Sequence, residues 1–430
     1  MRTIDKVVIG AVLFAALSCA ISQASGQEFA RDYYWSPSSE FDDQARAEED
    51  FALASWLQQP GVRAPAPTLS TAPRTTPTSR QSGLASVPNM FGDCGPTTAN
   101  VTIQRANGAS TDAQFMLPVI GGARTAKVAE NGVSLPTDRI FFFYNHFNGI
   151  FQMQSQTTAP PGPLLSRQEP IDRYTMGFEK TFFDGLTSIE LRMPFTGSYD
   201  ASLPGLTVSN GNIGNLGLLF KALLYADDAL GIGVGLGLDT PTGTDTIARL
   251  GTVNLQFQND SLHILPYIGF MYSPGDPIMG WGDTWFMSGF MQFDAVASGN
   301  NVQFVVPGNQ IGTSLGKFNE QNAMYFDLAL GYWVYRDPYA DRLTGLAIVG
   351  EAHYITAVQD PDIVAGTANG AGAVVTNTLG RFDVVNGVVA VEALFFDASS
   401  LRVGGVFPMG MNDDKRFFDA EVQVQFNRRF

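Results

Sequence analysis

The last fourteen residues, Phe417 to Phe430, alternate between apolar and polar side chains and stop on an aromatic. One parity reads Phe418, Ala420, Val422, Val424, Phe426, Arg428 and Phe430. The other reads Phe417, Asp419, Glu421, Gln423, Gln425, Asn427 and Arg429. A two-residue period with one apolar and one polar face is the signature of a strand and excludes a helix. Two settings suit it. In one, the apolar face meets lipid and the polar face lines a lumen. In the other, it is the last strand of a soluble sandwich.

The amino terminus favours a membrane destination. Arg2 and Lys6 precede an apolar run from Val7 to about Ala20, and small residues follow at Ala24-Ser25-Gly26. This reads as a secretory signal peptide over 1–26, too short to span a bilayer. Its removal before Gln27 leaves Cys94 as the only thiol, so no intrachain disulfide is expected. The carboxy-terminal Phe430, with Phe426 two positions inward on the same face, then resembles the closing strand and insertion signal of bacterial outer-membrane barrels. That resemblance implies the outer-membrane lipid and the barrel assembly machinery as partners.

No later segment holds the roughly 18 unbroken apolar residues of a membrane helix. The composition has 45 Gly and 32 Phe, only 16% charged residues, and a mean hydropathy near zero. Alternating lipid-facing and lumen-facing positions average to such a value. A formal charge of −15 argues against nucleic acid as a partner.

Residues 27–138 differ from the rest. Ser38-Ser39-Glu40 caps an expected short helix to about Leu57. Residues 60–80 carry five prolines amid Thr, Ser and Ala and read as a semi-extended linker, so 27–80 is expected in the periplasm and partly disordered. Residues 81–138 are Gly-rich and irregular, with one short strand expected at Arg124–Glu130, and read as a plug or clasp.

From Arg139 to Phe430 strand signals recur, with connections that alternate long and short, as external loops and periplasmic turns do. Tight turns such as Asp184-Gly185 and Asn259-Asp260 mark the short ones. The doubtful segment Asn301–Val306 is settled by parity. Both barrel ends belong in the periplasm, so the count is even, and including that segment gives fourteen. The expectation is an all-β, transmembrane, antiparallel up-and-down barrel of about fourteen strands, with twelve as the alternative count and an irregular amino-terminal extension.

Asn212 to Gly243 is the most distinctive stretch: a strand bearing Lys221, a tight turn, a Gly-alternating strand and then Pro241-Thr242-Gly243. It resembles the MetA-pathway phenol-degradation family, grouped with FadL-like outer-membrane channels for hydrophobic compounds. The resemblance implies passive uptake of small hydrophobic or aromatic compounds, and it covers about thirty residues closely. It carries no defined chemistry-bearing residues. Physically, Gly231, Gly233, Gly235 and Gly237 strip one face of the strand. That leaves room for a plug, a kink or a passing solute.

The expected lumen also holds Glu190, Arg192, Lys221, Asp327 and Glu392 as substrate-path candidates. Over 139–430 there are 16 Lys+Arg against 28 Asp+Glu, which favours cations or neutral solutes in an open pore. The same residues also suit ion pairs that rigidify a closed barrel, whose function would lie in its loops or extension. Enzymatic signals are weak. Gly312-Thr313-Ser314-Leu315-Gly316 matches G-x-S-x-G without the strand–elbow–helix context that motif needs. His146, His263 and His353 lack metal-ligand spacing. No catalytic residue, metal or cofactor is assigned.

Overall fold

The computed structural model describes residues 84, 87–93, 97–104, 110–117 and 127–430, the last apart from 160, 197–199, 275–283, 307–311, 338, 361, 377–380, 397 and 411–416. The signal sequence, the 38–57 helix, the Pro-rich linker and Cys94 lie outside the described residues.

The described strands begin with a hairpin, β1 (Thr97–Gln104) and β2 (Ser110–Leu117). Two long strands follow, β3 (Arg139–Ala159) and β4 (Leu165–Phe182), then β5 (Thr187–Thr196). The short β6 (Asp200–Leu203) and β7 (Leu206–Asn210) come next, ahead of β8 (Gly217–Ala226) and β9 (Leu230–Asp239). A second short pair, β10 (Thr246–Leu250) and β11 (Val253–Phe257), precedes β12 (Leu262–Tyr272) and β13 (Trp285–Ser298). A third, β14 (Asn300–Val305) and β15 (Thr313–Phe318), precedes β16 (Ala323–Arg336) and β17 (Leu343–Ala357). A fourth is β18 (Ile363–Ala368) and β19 (Ala371–Thr376). The chain finishes with β20 (Asp383–Phe395), β21 (Ser399–Pro408) and β22 (Ala420–Arg429).

Twelve of these close a barrel in the order β3-β4-β5-β8-β9-β12-β13-β16-β17-β20-β21-β22, all antiparallel, with β22 returning to β3. The seam is regular: Arg429 lies opposite Arg139 and Ala420 opposite Asn148. The wall therefore has twelve strands and not fourteen. Two segments whose alternation reads as wall strands from the sequence, Arg249–Gln258 and Asn301–Val306, leave it. They form β10, β11 and β14, five or six residues each, against the 9–11 a bilayer crossing needs. Their alternation is real, but a packed sheet outside the membrane has the same period of two. Tyr272 and Trp285, which flank a connection expected among the long loops at 274–282, lie instead at the short-turn end with the seam termini.

Outward positions of the wall form an exposed apolar belt. Ile189, Leu191 and Met193 on β5, Phe326, Leu328 and Leu330 on β16, and Val385, Val389 and Val391 on β20 are all exposed. A patch this continuous has no place in water and defines the lipid face. Aromatics mark both rims. Phe183, Tyr339, Phe396 and Phe430 sit at the short-turn end, and Phe326 stacks on Tyr354 nearer the long-loop end. Phe430 packs on Phe178 with centroids 6.0 Å apart, which fixes the last residue against the neighbouring wall.

Beyond the long-loop end the hairpins build a cap. The strands β15-β14-β11-β10-β7-β6 form one six-stranded sheet, and β18-β19-β1-β2 continue the barrel sheet outward from β3. Strand β3 has 21 residues and shifts register between Phe147 and Phe151, where Gly149 adopts φ 70°. There it leaves the wall and enters the cap. The two layers share an apolar core that includes Val101, Ile103, Met153, Val208, Leu255, Phe257, Phe304 and Val375. Asn319 donates to Asp362 at one edge, and Arg167 donates to the Ser202 carbonyl at the other.

Candidate functional site: the barrel lumen

Residues 84, 87–93 and 127–137 lie in the lumen and form two arms. Their backbones join at Met90 and Gly132, whose amides and carbonyls exchange hydrogen bonds of 2.7 and 3.2 Å. The arms touch the wall nearly all the way round, from Arg173 on β4 through Gln292 on β13 to Asn427 on β22. Part of the strand expected at Arg124–Glu130 lies outside the described residues, and within the rest Val128 to Asn131 form a turn, with Asn131 at φ 48°. Between the arms, β1 and β2 lie in the cap. The chain thus passes from the short-turn end through the lumen to the cap, and back again before β3 begins.

The glycine stripe faces these arms. A Cβ on Gly231 would lie 2.7 Å from Leu135 Cδ1, and one on Gly233 would collide with the Ser134 carbonyl oxygen. Gly269 on the adjacent β12 gives the same clearance, 2.8 Å from Ser134 Cβ. Gly235 and Gly237 meet wall side chains instead, the Tyr267 ring and Leu265. Half of the stripe therefore accommodates the descending arm and half accommodates neighbouring side chains.

Three of the sequence-derived path residues, Glu190, Arg192 and Lys221, fall into one buried cluster with Arg139 and Glu179. Arg139 bonds Glu179 and Glu190 at 2.8 Å each, and Lys221 bonds them at 2.9 and 2.6 Å. Arg192 pairs with Glu190. Three cations against two carboxylates leave a positive surplus, which the arm's carbonyls meet. Arg192 donates to the carbonyls of Glu130 at 2.8 Å, Lys127 at 3.2 Å and Val128 at 3.4 Å, and Lys221 donates to that of Val133. Buried charge at this density is stable only when fully hydrogen-bonded.

Asp327 belongs to a second cluster nearer the cap. Lys127 bridges Asp93 and Asp327, 2.7 Å from the latter. His353 Nδ1 lies 2.7 Å from Asp327, and its Nε2 lies 3.0 Å from Glu351. Glu351 also accepts the amides of Phe91 at 2.7 Å and Gly92 at 2.9 Å. Asn386 holds Asp93 at 2.6 Å. Glu130, on the descending arm, pairs with Arg173 and takes Asn145 at 3.2 Å. Glu392 stands apart from both clusters, paired with Arg402 within the wall. Asp93 lay outside any strand pattern, and the strand expected at Arg124–Glu130 gave Lys127 and Glu130 no place against the wall, so the sequence reading missed all three. The hint was the excess of lumenal carboxylates, which calls for cations from elsewhere.

The remaining arm surface is apolar. Leu84, Val87, Met90, Val128 and Val133 pack on Leu219, Tyr267, Met271, Phe286, Phe290 and Trp333. An aromatic strip on β12, β13 and β16 thus runs inward from the short-turn end, while polar anchors hold the arms around the rest of the wall and, nearer the cap, on β13 and β16 at Gln292 and Asp327. A cavity of about 380 Å³ opens there, lined by Leu84, Leu135, Leu223 and Asp228 among others. On the lipid side, an apolar groove of about 600 Å³ lies across β9, β12, β13, β16 and β17.

Ser314 sits on strand β15, with its hydroxyl donating to Asn301 rather than to a histidine. A Ser–His–Asp series occurs elsewhere: Ser261 Oγ is 2.8 Å from His263 Nε2, and His263 Nδ1 is 2.5 Å from Asp294. All three are buried, at 1% exposure or less, where the wall meets the cap. His146 bonds Asp172 at 2.7 Å on the outer face.

No family model and no curated protein matches the sequence. Among solved structures, the chain is similar to an outer-membrane channel from Pseudomonas putida F1. The identity is 10%, covering 70% of this chain and 97% of that one at a TM-score of 0.40. It is similar to the translocator domain of the autotransporter NalP from Neisseria meningitidis, at 10% identity, 71% and 93% coverage and a TM-score of 0.40. The Pseudomonas putida toluene transporter TodX is 10% identical, with 72% and 94% coverage and a TM-score of 0.34. Identities this low, with TM-scores under 0.5, leave the fold to rest on the chain's own strand pairing.

Proposed function

We propose that the chain is an outer-membrane channel for passive uptake of small hydrophobic or aromatic compounds, with the lumenal arms as its stopper. In this reading an amino-terminal signal exports it, and its carboxy-terminal strand delivers it to the barrel assembly machinery. The observation that carries the reading is the aromatic strip in the lumen: polar bonds hold the arms around most of the wall, while over Tyr267, Phe286, Phe290 and Trp333 the arms only pack. Shifting the arms would uncover Tyr267, Phe286, Phe290 and Trp333, a surface suited to an apolar solute and not to an ion. The resemblance of Asn212–Gly243 to channels for hydrophobic compounds agrees with this. No catalytic role is assigned to any residue.

The test compares wild type with a Phe290→Ala, Trp333→Ala double variant in liposomes given an aromatic solute probe from outside. Uptake by wild type that falls severalfold in the variant is expected. Wild-type liposomes no more permeable than protein-free ones would sink the reading. A second reading, a closed barrel that displays its cap, is favoured by the continuous apolar core of that cap. It would gain if permeability stayed at the protein-free level while the folded cap captured a surface partner.

A further inference from the structure

We infer that Asp93, Asp327 and His353 form a binding site for a divalent transition metal of the zinc class, which exchanges with the ammonium group of Lys127. One ligand atom from each residue lies within 4.8 Å of the other two. His353 Nδ1 is 2.7 Å from Asp327 Oδ1 and 3.6 Å from Asp93 Oδ1, spacings that a tetrahedral nitrogen–oxygen site takes up with small side-chain shifts. The ligands come from the ascending arm and from two adjacent wall strands, so no local spacing in the sequence announces them.

Two further observations point to a cation ligand. Oδ2 of Asp327, on a fully buried side chain, has no hydrogen-bond partner and is free to complete a bidentate contact. Glu351 holds His353 Nε2 at 3.0 Å, the carboxylate–imidazole arrangement that orients metal-bound histidines and leaves Nδ1 facing the ion. The position is already cationic, because Lys127 Nζ sits against both aspartates. A lysine is a point charge on a flexible four-carbon stem, so it can withdraw where a guanidinium fork would not. The dication takes the place of the ammonium group between the two aspartates. Nitrogen and carboxylate donors without thiolate suit zinc, cobalt or nickel more than calcium or magnesium.

The ligands are buried, so the ion is loaded as the arms seat. The full chain, carrying Cys94→Ser to silence the thiol beside Asp93, is refolded into detergent with Co²⁺, and heat-dependent gel migration checks folding. One Co²⁺ per chain with visible d–d absorption, displaced by Zn²⁺, is expected. His353→Ala should weaken binding at least about tenfold, and Glu351→Gln about ten- to a hundredfold through orientation. Lys127→Met keeps every ligand and removes the competing cation, so it should tighten binding. The inference falls if neither the parent chain nor Lys127→Met takes up metal, or if His353→Ala binds as the parent does. None of these readouts depends on whether the barrel conducts.

Discussion

Gly233 shows how a single missing side chain decides what the lumen can hold. Its Cβ position is taken by the Ser134 carbonyl, so Gly233→Val must push the descending arm off the wall. Overpacking of this kind costs about 1–3 kcal/mol. The expected result is a lower temperature for heat-dependent gel migration, together with raised leak conductance in planar bilayers. Gly350→Ala, which faces lipid with Val388 O at 3.9 Å as its near neighbour, should change neither. At the foot of the arm, Asp138 accepts from Lys180, the Thr181 amide and the Thr181 hydroxyl. Burial raises its pKa, but the bonds from Lys180 and Thr181 outweigh that and hold it below the usual 3.8. A depressed carboxylate pKa stabilises the fold above the unfolded value, and that contribution is lost as pH falls below it. Stability should therefore decline on acidification below about pH 4, and Asp138→Asn should flatten that part of the profile in denaturant titrations.

At the level of elements, the arms are held mainly through their backbone. Arg192 alone donates to three of their carbonyls, so Arg192→Ala leaves those groups and Glu190 short of partners inside a buried cluster. Breaking such a pair costs about 3–5 kcal/mol. The arm should loosen, and the measured outcome is conductance where wild type is closed. Strands differed in how legible they were. Ile189 to Phe195 showed its faces plainly because lipid and lumen impose opposite chemistries on adjacent residues. Val253–Phe257 alternates just as well but faces the cap core, so periodicity placed it in the wall; its length was the better guide. Glu190, Arg192 and Lys221 were recognisable as lumenal from strand parity. Their partners on the arm were not, since the strand expected at Arg124–Glu130 gave no sign that the carbonyls of Lys127 and Glu130 face the wall. The glycine stripe was legible as empty space, and only the packing of Ser134 and Leu135 identified what fills it.

For the whole molecule, two bodies share one sheet: a barrel that meets lipid and a cap with its own apolar core. Phe304 is fully buried in that core. Phe304→Ala should cost the cap about 3–5 kcal/mol while the barrel keeps its heat-dependent migration. Protease sensitivity confined to the cap strands would report the separation, whereas loss of the folded barrel band would refute it. The passage of the chain through its own barrel has a consequence for assembly. The β1–β2 hairpin at the far end is paired to β19 and β3 in the cap, so drawing it back through a finished cylinder first breaks those pairings. A wall that wraps around an already placed loop avoids that step, and the join of β22 to β3 then closes the ring. Phe430 therefore completes the ring like the final tooth of a zip closed over a cord. Drawing the whole cord out takes the cap pairings apart or reopens the seam, so the arms can shift within the lumen yet stay tethered there for as long as the fold lasts.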